Sequence, residues 1–491
     1  MIRVVHVASE ITPWSQTGGL GEVMGGLPPA LAAADPSLAI AVVTPLYRVV
    51  RERAAARGAT LEDIGLDLVV ALPAADHSAR LVRLVAGEGG GASCFFVDCP
   101  ALYDRDGVYG GPSGDHPDNW LRFGVLCRAA IAASRHMLGG PADVVHAHDW
   151  QAALVPLLLR RAGLAARSIL TVHNLLFLGG FGAEVVSGLG LDASLYTPHC
   201  LEHHGQASLL KGGLAAADRV TTVSPSYAAE ILTPRHGDSL HGFLQHDVRG
   251  VTGILNGIDD AAWDPSRDPS LAARYGPDDL DGKRRCRAAL AEERGLRPGS
   301  GDLLIGVVSR LTGQKGADLV AELVPELYRV GGKLVLLGSG APELEERFRW
   351  LADRFRDHLS VEIGFDPALA RRILAGSDVV LMPSRTEPCG LTQLYAMRYG
   401  AVPIVNPVGG LRDTVDAVED GLDGQGTGFA MTDPSAAALH RALERAALLH
   451  RDEAAWTALV RAGMRRDSSW RGPAAEYAAL YRELAGAGAG A

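Results

Sequence analysis

Short runs of β-branched and aliphatic residues recur along the whole chain. Each is followed by a longer Ala/Leu/Arg-rich stretch with helical character. In the first half the runs predict strands at Val4–Ala8, Ile40–Thr44, Cys94–Val97, Val144–Ala147, Ser168–Val172 and Val220–Val223. In the second half they predict strands at Leu303–Val308, Lys333–Leu337, Val379–Met382 and Val402–Val405. Strands separated by helices imply βαβ units and parallel sheets. Two such sets imply an α/β chain with two doubly wound domains. The turn-rich segment Gly253-Ile254-Leu255-Asn256-Gly257-Ile258-Asp259 leads into Trp263-Asp264-Pro265 and Asp268-Pro269, which are poor in regular structure. It places the boundary so that one domain covers 1–255 and the other 256–470. The cleft between two such domains is the default place for a ligand.

Length agrees with this division, because 491 residues exceed what one typical core holds. Apolar residues make up 47% and charged residues 21%, a composition of globular enzymes and not of disordered chains. The net charge of −10 leaves no basic excess to neutralise a nucleic-acid backbone, although a few local cations can still hold a small anion. Cys94, Cys99, Cys127, Cys200, Cys286 and Cys389 form no C-x-x-C pair. Their scatter suggests neither a zinc site nor a disulfide framework, and a cytoplasmic location follows as the simplest expectation. No run of about 18 apolar residues predicts a membrane span. The first residues, Met1-Ile2-Arg3-Val4-Val5-His6, read as a strand and not as a signal peptide. The segment 485–491 alternates Ala and Gly and is expected to be a flexible tail.

Candidate chemistry concentrates where predicted strands end. The run Asp378–Pro383 is followed by Ser384-Arg385-Thr386-Glu387-Pro388-Cys389-Gly390-Leu391-Thr392-Gln393, which enters a helix. Open α/β sheets place ligands at such strand ends, and a helix N-terminus offers free N–H groups to phosphate. One acid beside an anion site suggests chemistry on a phosphorylated substrate. Ser309-Arg310-Leu311-Thr312-Gly313-Gln314-Lys315-Gly316 follows another strand. There Arg310 offers a fork and Lys315 a point charge to phosphate oxygens, the plainer alternative being surface ion pairs.

The first strand runs into Gln16-Thr17-Gly18-Gly19-Leu20-Gly21-Glu22. Its paired glycines let backbone approach a ligand or simply make a tight turn. The spacing is not the G-x-G-x-x-G of dinucleotide sites. His146-Ala147-His148-Asp149-Trp150 puts two histidines on one face of a strand. No third convergent ligand is evident in the sequence, so Asp149 at the strand end is the better candidate than a metal. His173, in Thr171-Val172-His173-Asn174, can donate to a sugar hydroxyl or serve structure alone. Cys389 sits where a helix dipole lowers a thiol pKa, yet no His-Asn partner is readable and it is taken as a wall of the site. His203-His204 reads as packed or solvated side chains.

Together these segments resemble the bacterial glycogen synthase and plant starch synthase family. The resemblance runs in order through Thr17-Gly18-Gly19-Leu20-Gly21, His146-Ala147-His148-Asp149-Trp150, Thr171-Val172-His173-Asn174 and Lys211-Gly212-Gly213-Leu214. It continues through Leu255-Asn256-Gly257-Ile258-Asp259, Ser309-Arg310-Leu311, Gln314-Lys315-Gly316, Glu387-Pro388-Cys389-Gly390-Leu391-Thr392-Gln393 and Gly409-Gly410-Leu411. The resemblance implies a GT-B fold with the active site between two Rossmann-like domains. A C-terminal helix, here 471–484, would return to the first domain. It implies transfer of glucose, with retention, from ADP-glucose to the 4-OH at a glucan's non-reducing end. Nucleotide sugar and α-glucan would be the partners, with neither metal nor other cofactor. Arg310 and Lys315 would stabilise the leaving diphosphate, Glu387 would face the glucosyl ring, His173 would bind its 6-OH side and Asp149 would line the cleft. Gln16, Thr17, Gly18, Gly19, Asn174, Cys389, Gly390, Leu391 and Thr392 would contact the donor.

Four positions depart from the family pattern. A neutral Gln16 stands where the family has Lys, and Glu22 where it has Asp. Leu175-Leu176-Phe177-Leu178 replaces a polar Tyr-Gln segment, and Arg287 replaces Lys. Two alternatives therefore stand beside the glucan synthase: a catalytically weakened paralogue that binds glucan or nucleotide sugar, and a related transferase using UDP-glucose.

Overall fold

The apolar run Ile2–Val7 lies at the centre of a nine-stranded sheet, with its last four side chains buried. The sheet order is Val251–Gly253, Arg219–Thr222, Arg167–Val172, Val144–His148, Ile2–Val7, Leu38–Pro45, Ser93–Asp98, Asp76–Val85 and Thr60–Ala71. The first seven are parallel. The last two form an antiparallel hairpin on that edge. The purely parallel sheet expected from the βαβ pattern is thus corrected to a mixed one. The hairpin carries exposed Glu62, Asp63, Arg80 and Arg83, which pair across the strands, so its apolar alternation is weak.

A second sheet is parallel throughout, in the order Leu359–Ile363, Gly332–Gly338, Leu303–Val308, Val379–Met382, Val402–Val405 and Phe429–Ala430. The computed structural model describes residues 1–85, 91–111, 114–418 and 426–487. The chain forms two compact units: Met1–Gly257 with the chain from Trp470 onward, and Ile258–Ser469. Among the described residues no helix is long and apolar enough to cross a membrane.

The chain's return to the first unit follows from the spacing of apolar residues in its last helix, Arg471–Ala487. Ala474, Tyr477, Ala478, Tyr481 and Leu484 recur every three or four positions and are buried against Val23, Leu27 and Leu31 of the helix Gly19–Ala34. Trp470 lies over Gly26, where a Cβ would collide with the indole nitrogen. The helix runs through Ala487, so the tail expected from 485 is shortened; residues 488–491 lie outside the described residues.

Each sheet reverses its winding once. In the first unit the chain leaves Ile2–Val7 to one side and later adds Val144–His148 on the other. In the second unit the same happens between Leu303–Val308 and Val379–Met382. Ligands of open α/β sheets bind beyond the carboxyl ends of strands at such points. The loops that start there are Ala8–Gly18, His148-Asp149, Ser309–Gly316 and Pro383–Leu391.

Candidate functional site

In the second unit a cavity is lined by Arg310, Lys315, Ser384, Glu387 and Thr392, over a floor that includes Val307 and Leu381. Lys315 Nζ lies 2.5 Å from Glu387 Oε2. Ser384 Oγ donates to the same oxygen at 3.0 Å, and Asn406 Nδ2 holds the Ser384 carbonyl at 2.8 Å. Glu387 is buried, so its negative charge is fixed by an amine and a hydroxyl and not by water. Arg310 is exposed, and its guanidinium has no carboxylate partner among the described residues.

The two loops are stitched to each other. Arg385 N donates to the Gln314 carbonyl at 2.8 Å. The Arg385 guanidinium donates to the Gly313 carbonyl at 2.7 Å and grips both Asp318 oxygens. Gly316, at φ +69°, has no room for a Cβ against the Pro383 carbonyl. The turn after Glu387 is held from behind, because Gly410 N donates to the Glu387 carbonyl at 3.0 Å. A Cβ on Gly409 or Gly410 would meet the Glu387 or Cys389 carbonyl. Those glycines are needed for close backbone approach.

Gly390 takes φ +74°, and the helix begins at Thr392, running seven residues to Arg398 with Leu391 as its uncapped N-terminal neighbour. Gln393 Nε2 donates to the Cys389 and Gly390 carbonyls, each at 3.0 Å. Cys389 is buried in this turn.

In the first unit the loop after Ile2–Val7 is organised by a carboxylate that sequence reading missed. Glu10 Oε2 accepts from Thr17 N at 2.5 Å and from Gly18 N at 3.1 Å, and Oε1 accepts from Thr17 Oγ1 at 2.8 Å. The Tyr109 hydroxyl donates to Oε1 as well. The loop therefore does bind an anion, but the anion is the protein's own side chain. The Gly18 N–H, expected to be free for a diphosphate, is engaged here. No motif marks Glu10 in the sequence. Gln16 Nε2 donates to Glu22 Oε1 at 2.7 Å. Two of the departures from the family pattern thus bond to each other.

Asp149 sits at φ +55° directly after Val144–His148. Its Oδ1 accepts from His173 N at 2.7 Å and Asn174 N at 3.4 Å, bringing these three predicted residues together. Asn174 Oδ1 in turn accepts from Leu176 N at 3.2 Å. Burial pushes the Asp149 carboxyl up to about 7, the two backbone donors oppose it, and the negative charge of Glu10 adds to the rise.

Arg287, by contrast, is structural. It pairs with Asp378 at 2.9 Å and caps the Asp302 carbonyl at 2.7 Å.

The third convergent histidine absent from the sequence reading is supplied by the neighbouring strand. His6 stands in register with His146, and ring nitrogens of His6, His146 and His148 lie within 4.8 Å of one another. Both nitrogens of His6 and of His148 are, however, occupied by hydrogen bonds to other side chains. Desolvation lowers all four buried imidazoles, His6 and His173 to about 3 and His146 and His148 well below 6.5.

The sign of the pH dependence follows. Depressed histidines contribute stability that is complete above pH 6.5 and lost as pH falls towards the folded-state values. Asp149, raised to about 7, works the other way, its contribution being lost as pH rises through 7. Four imidazoles shifted down outweigh one carboxyl shifted up, so stability should fall as pH drops from about 6.5 towards 4.5. Urea midpoints measured down this range check it, and a flat profile contradicts neutral buried imidazoles.

Comparison with known proteins gives a consistent family. The family model described as "Starch synthase catalytic domain" matches residues 3–246, and "Glycosyl transferases group 1" matches residues 291–458. A glycogen synthase of Anaeromyxobacter dehalogenans (strain 2CP-C) is 46% identical, covering 99% of this chain and 100% of the relative. One from Methylocella silvestris is 43% identical over 98% of this chain and 99% of the relative. The catalytic domain of starch synthase IV from Arabidopsis thaliana, bound to ADP and acarbose, superposes with a TM-score of 0.89 at 32% identity, covering 99% of each chain. A sucrose-phosphate synthase from Thermosynechococcus elongatus shares the fold, with a TM-score of 0.59 at 17% identity over 99% of this chain and 100% of the other.

Proposed function

The chain belongs to the family of bacterial glycogen synthases and plant starch synthases, and from that premise we propose that it transfers glucosyl units from ADP-glucose to the non-reducing 4-OH of an α-1,4-glucan with retention at the anomeric carbon. The observation that carries this reading is the cavity in which Arg310 and Lys315 lie beside the buried carboxylate of Glu387.

In the proposed reaction the bond from C1 to the β-phosphate oxygen breaks, and its electron pair leaves with ADP. A bond from C1 to the acceptor O4 forms on the same face, and the hydroxyl proton passes to the departing phosphate or to solvent. Negative charge grows on the diphosphate and positive charge on the ring. Arg310 offers five N–H donors and Lys315 three, one of them already directed at Glu387. The remaining donors stabilise the diphosphate. Glu387, held by Lys315 and Ser384, presents fixed negative charge to the ring. Such preorganised groups cost no reorganisation at the moment of reaction.

His173 is neutral at physiological pH and acts by hydrogen bonding at the sugar's 6-OH side. Asp149 acts through the backbone, fixing the His173-Asn174 turn. Gln16, Gly19 and Asn174 are proposed donor contacts in the first unit, with Thr17 and Gly18, whose N–H groups Glu10 engages, shaping the loop beside them, and Cys389, Gly390, Leu391 and Thr392 are proposed donor contacts in the second. Two cations take the part that a metal plays elsewhere in phosphoryl chemistry, so no metal enters the reading. A cytoplasmic site of action fits a nucleotide-sugar donor.

Glucan-dependent nucleotide release, measured with ADP-glucose and UDP-glucose in parallel, tests this assignment. Turnover with ADP-glucose in clear excess supports it. Turnover with UDP-glucose alone transfers the assignment to the other donor, and none with either overturns it. The Gln16–Glu22 pair adds a finer expectation. Gln16→Lys gains a charge-assisted donor, worth about 1.5 kcal/mol at the low end because Glu22 competes for it. The Michaelis constant for the nucleotide sugar should fall about ten-fold. An unchanged constant would show that this loop works without a lysine.

A further inference from the structure

Three buried imidazoles and the half-buried His173 form one connected path. His173 Nε2 lies 3.0 Å from His148 Nδ1, and His148 Nε2 lies 3.0 Å from His6 Nδ1. His6 Nε2 lies 3.3 Å from the Tyr481 hydroxyl on the C-terminal helix. That hydroxyl also meets His146 Nδ1 at 2.8 Å. The path continues from His146 Nε2 to Thr171 Oγ1 at 2.6 Å and on to Thr221 Oγ1 at 2.6 Å. His6, His146, His148, Thr171, Thr221 and Tyr481 are all buried, and His173 alone is half-buried.

A neutral imidazole has one N–H and one lone pair. A ring bonded through both nitrogens must therefore donate on one side and accept on the other. Only two arrangements satisfy every ring: all protons point towards His173, or all point away from it. In the first, His173 Nε2 accepts and its Nδ1 carries the proton. In the second the assignments exchange. The tautomer of His173 is thus tied, ring by ring, to the hydroxyl of Tyr481. Burial keeps the rings neutral and the phenol protonated, which is what this alternation requires.

We propose that the chain Tyr481–His6–His148–His173 couples the tautomer of His173 to the Tyr481 hydroxyl, so that the three rings share one polarity and change it only together, and that Tyr481 is a positioning residue for glucosyl transfer. The C-terminal helix then does more than cover the sheet: it supplies the hydroxyl at which the chain ends. A single metal ion does not account for the same contacts. His6 uses opposite ring nitrogens for Tyr481 and for His148, and an ion can take only one of them.

The proposal rests on His173 meeting the glucosyl group, as proposed above, and its test separates the two. Full-length protein labelled with ¹⁵N-histidine is examined by long-range proton–nitrogen correlation at neutral pH. In the wild-type chain His6, His148 and His173 should show matching neutral tautomer populations, ring by ring, with couplings across the two imidazole–imidazole hydrogen bonds. Tyr481→Phe removes the hydroxyl that ends the chain and should shift the proportion of the two tautomers at His173. It should also lower kcat about ten-fold while leaving the Michaelis constants within about two-fold. Leu484→Ala, which removes packing from the same helix without touching the chain, should lower Tm and leave tautomer and kcat unchanged.

Wild-type rings whose tautomer populations do not match along the chain, or a Tyr481→Phe protein with unaltered tautomer proportions and kcat, overturn the proposal. So does a stoichiometric metal bound through the three rings. If Tyr481→Phe does not fold, the wild-type couplings still decide. If the protein transfers no glucose at all, the functional assignment fails while the tautomers still judge the chain.

Discussion

Glu387→Ala is expected to lower kcat by about a thousand-fold or more, equivalent to roughly 4 kcal/mol of transition-state stabilisation. The side chain is 5% exposed and ends 2.5 Å from Lys315 Nζ. Its charge is therefore fixed where positive charge is proposed to develop on the sugar. Alanine also leaves Lys315 without its partner, and that could lower activity indirectly. Glu387→Gln separates the two effects, because the amide keeps the shape and can still accept from Ser384 Oγ. A loss of similar size in glutamine assigns the effect to the charge. Near-normal kcat in either variant removes Glu387 from the mechanism. Circular dichroism and the urea midpoint of each variant verify that the chain is folded.

Lys315→Ala is expected to lower kcat/KM by about a hundred- to a thousand-fold, the range of losing one preorganised donor to a developing anion. Arg310→Ala should fall in the same range, with a difference in kind. Lys315 is also the ion-pair partner of Glu387, so its loss disturbs the acid, whereas Arg310 has no such partner among the described residues. Glu387→Gln should consequently cost less activity in a Lys315→Ala background than alone, and add fully to Arg310→Ala. Glucan binding without nucleotide sugar should be unchanged in both cation variants. A loss of glucan affinity instead would place these residues on the acceptor and contradict the assignment.

Parts of the fold were legible because their signals are local. The buried runs Leu303–Val308, Val379–Met382 and Val402–Val405 are continuous apolar strands of a covered parallel sheet. The hairpin Thr60–Ala71 with Asp76–Val85 was not legible. Its strands carry exposed charged residues that pair only after the strands are in register.

The same distinction runs through the site. Glu387, Lys315 and Arg310 announce themselves by position after strands, while the Lys315–Glu387 bond spans 72 residues of sequence. Glu10 has no motif around it, and its role exists only because the loop folds Thr17 and Gly18 back onto it. His6 looked like an ordinary strand residue until the sheet set it beside His146. Tyr481 joins from the far end of the chain, 475 residues from His6. Convergence across strands and between chain ends is what a single sequence does not display.

The departures at Gln16 and Glu22 also read differently together than apart. Singly, a lost lysine suggests a weakened enzyme. As a bonded pair they form a neutral-to-acid contact that orders the start of the helix Gly19–Ala34.

Retaining transfer of glucose to the end of a glucan leaves its record in the new linkage. Purified protein is incubated with ADP-glucose carrying ¹³C at C1 and a short α-1,4-linked maltooligosaccharide, and the product is examined by NMR. One new labelled anomeric signal per transfer is expected, α-configured and bonded to O4 of the former non-reducing end. A β-linked product, transfer to another hydroxyl, or labelled free glucose without chain growth would contradict it.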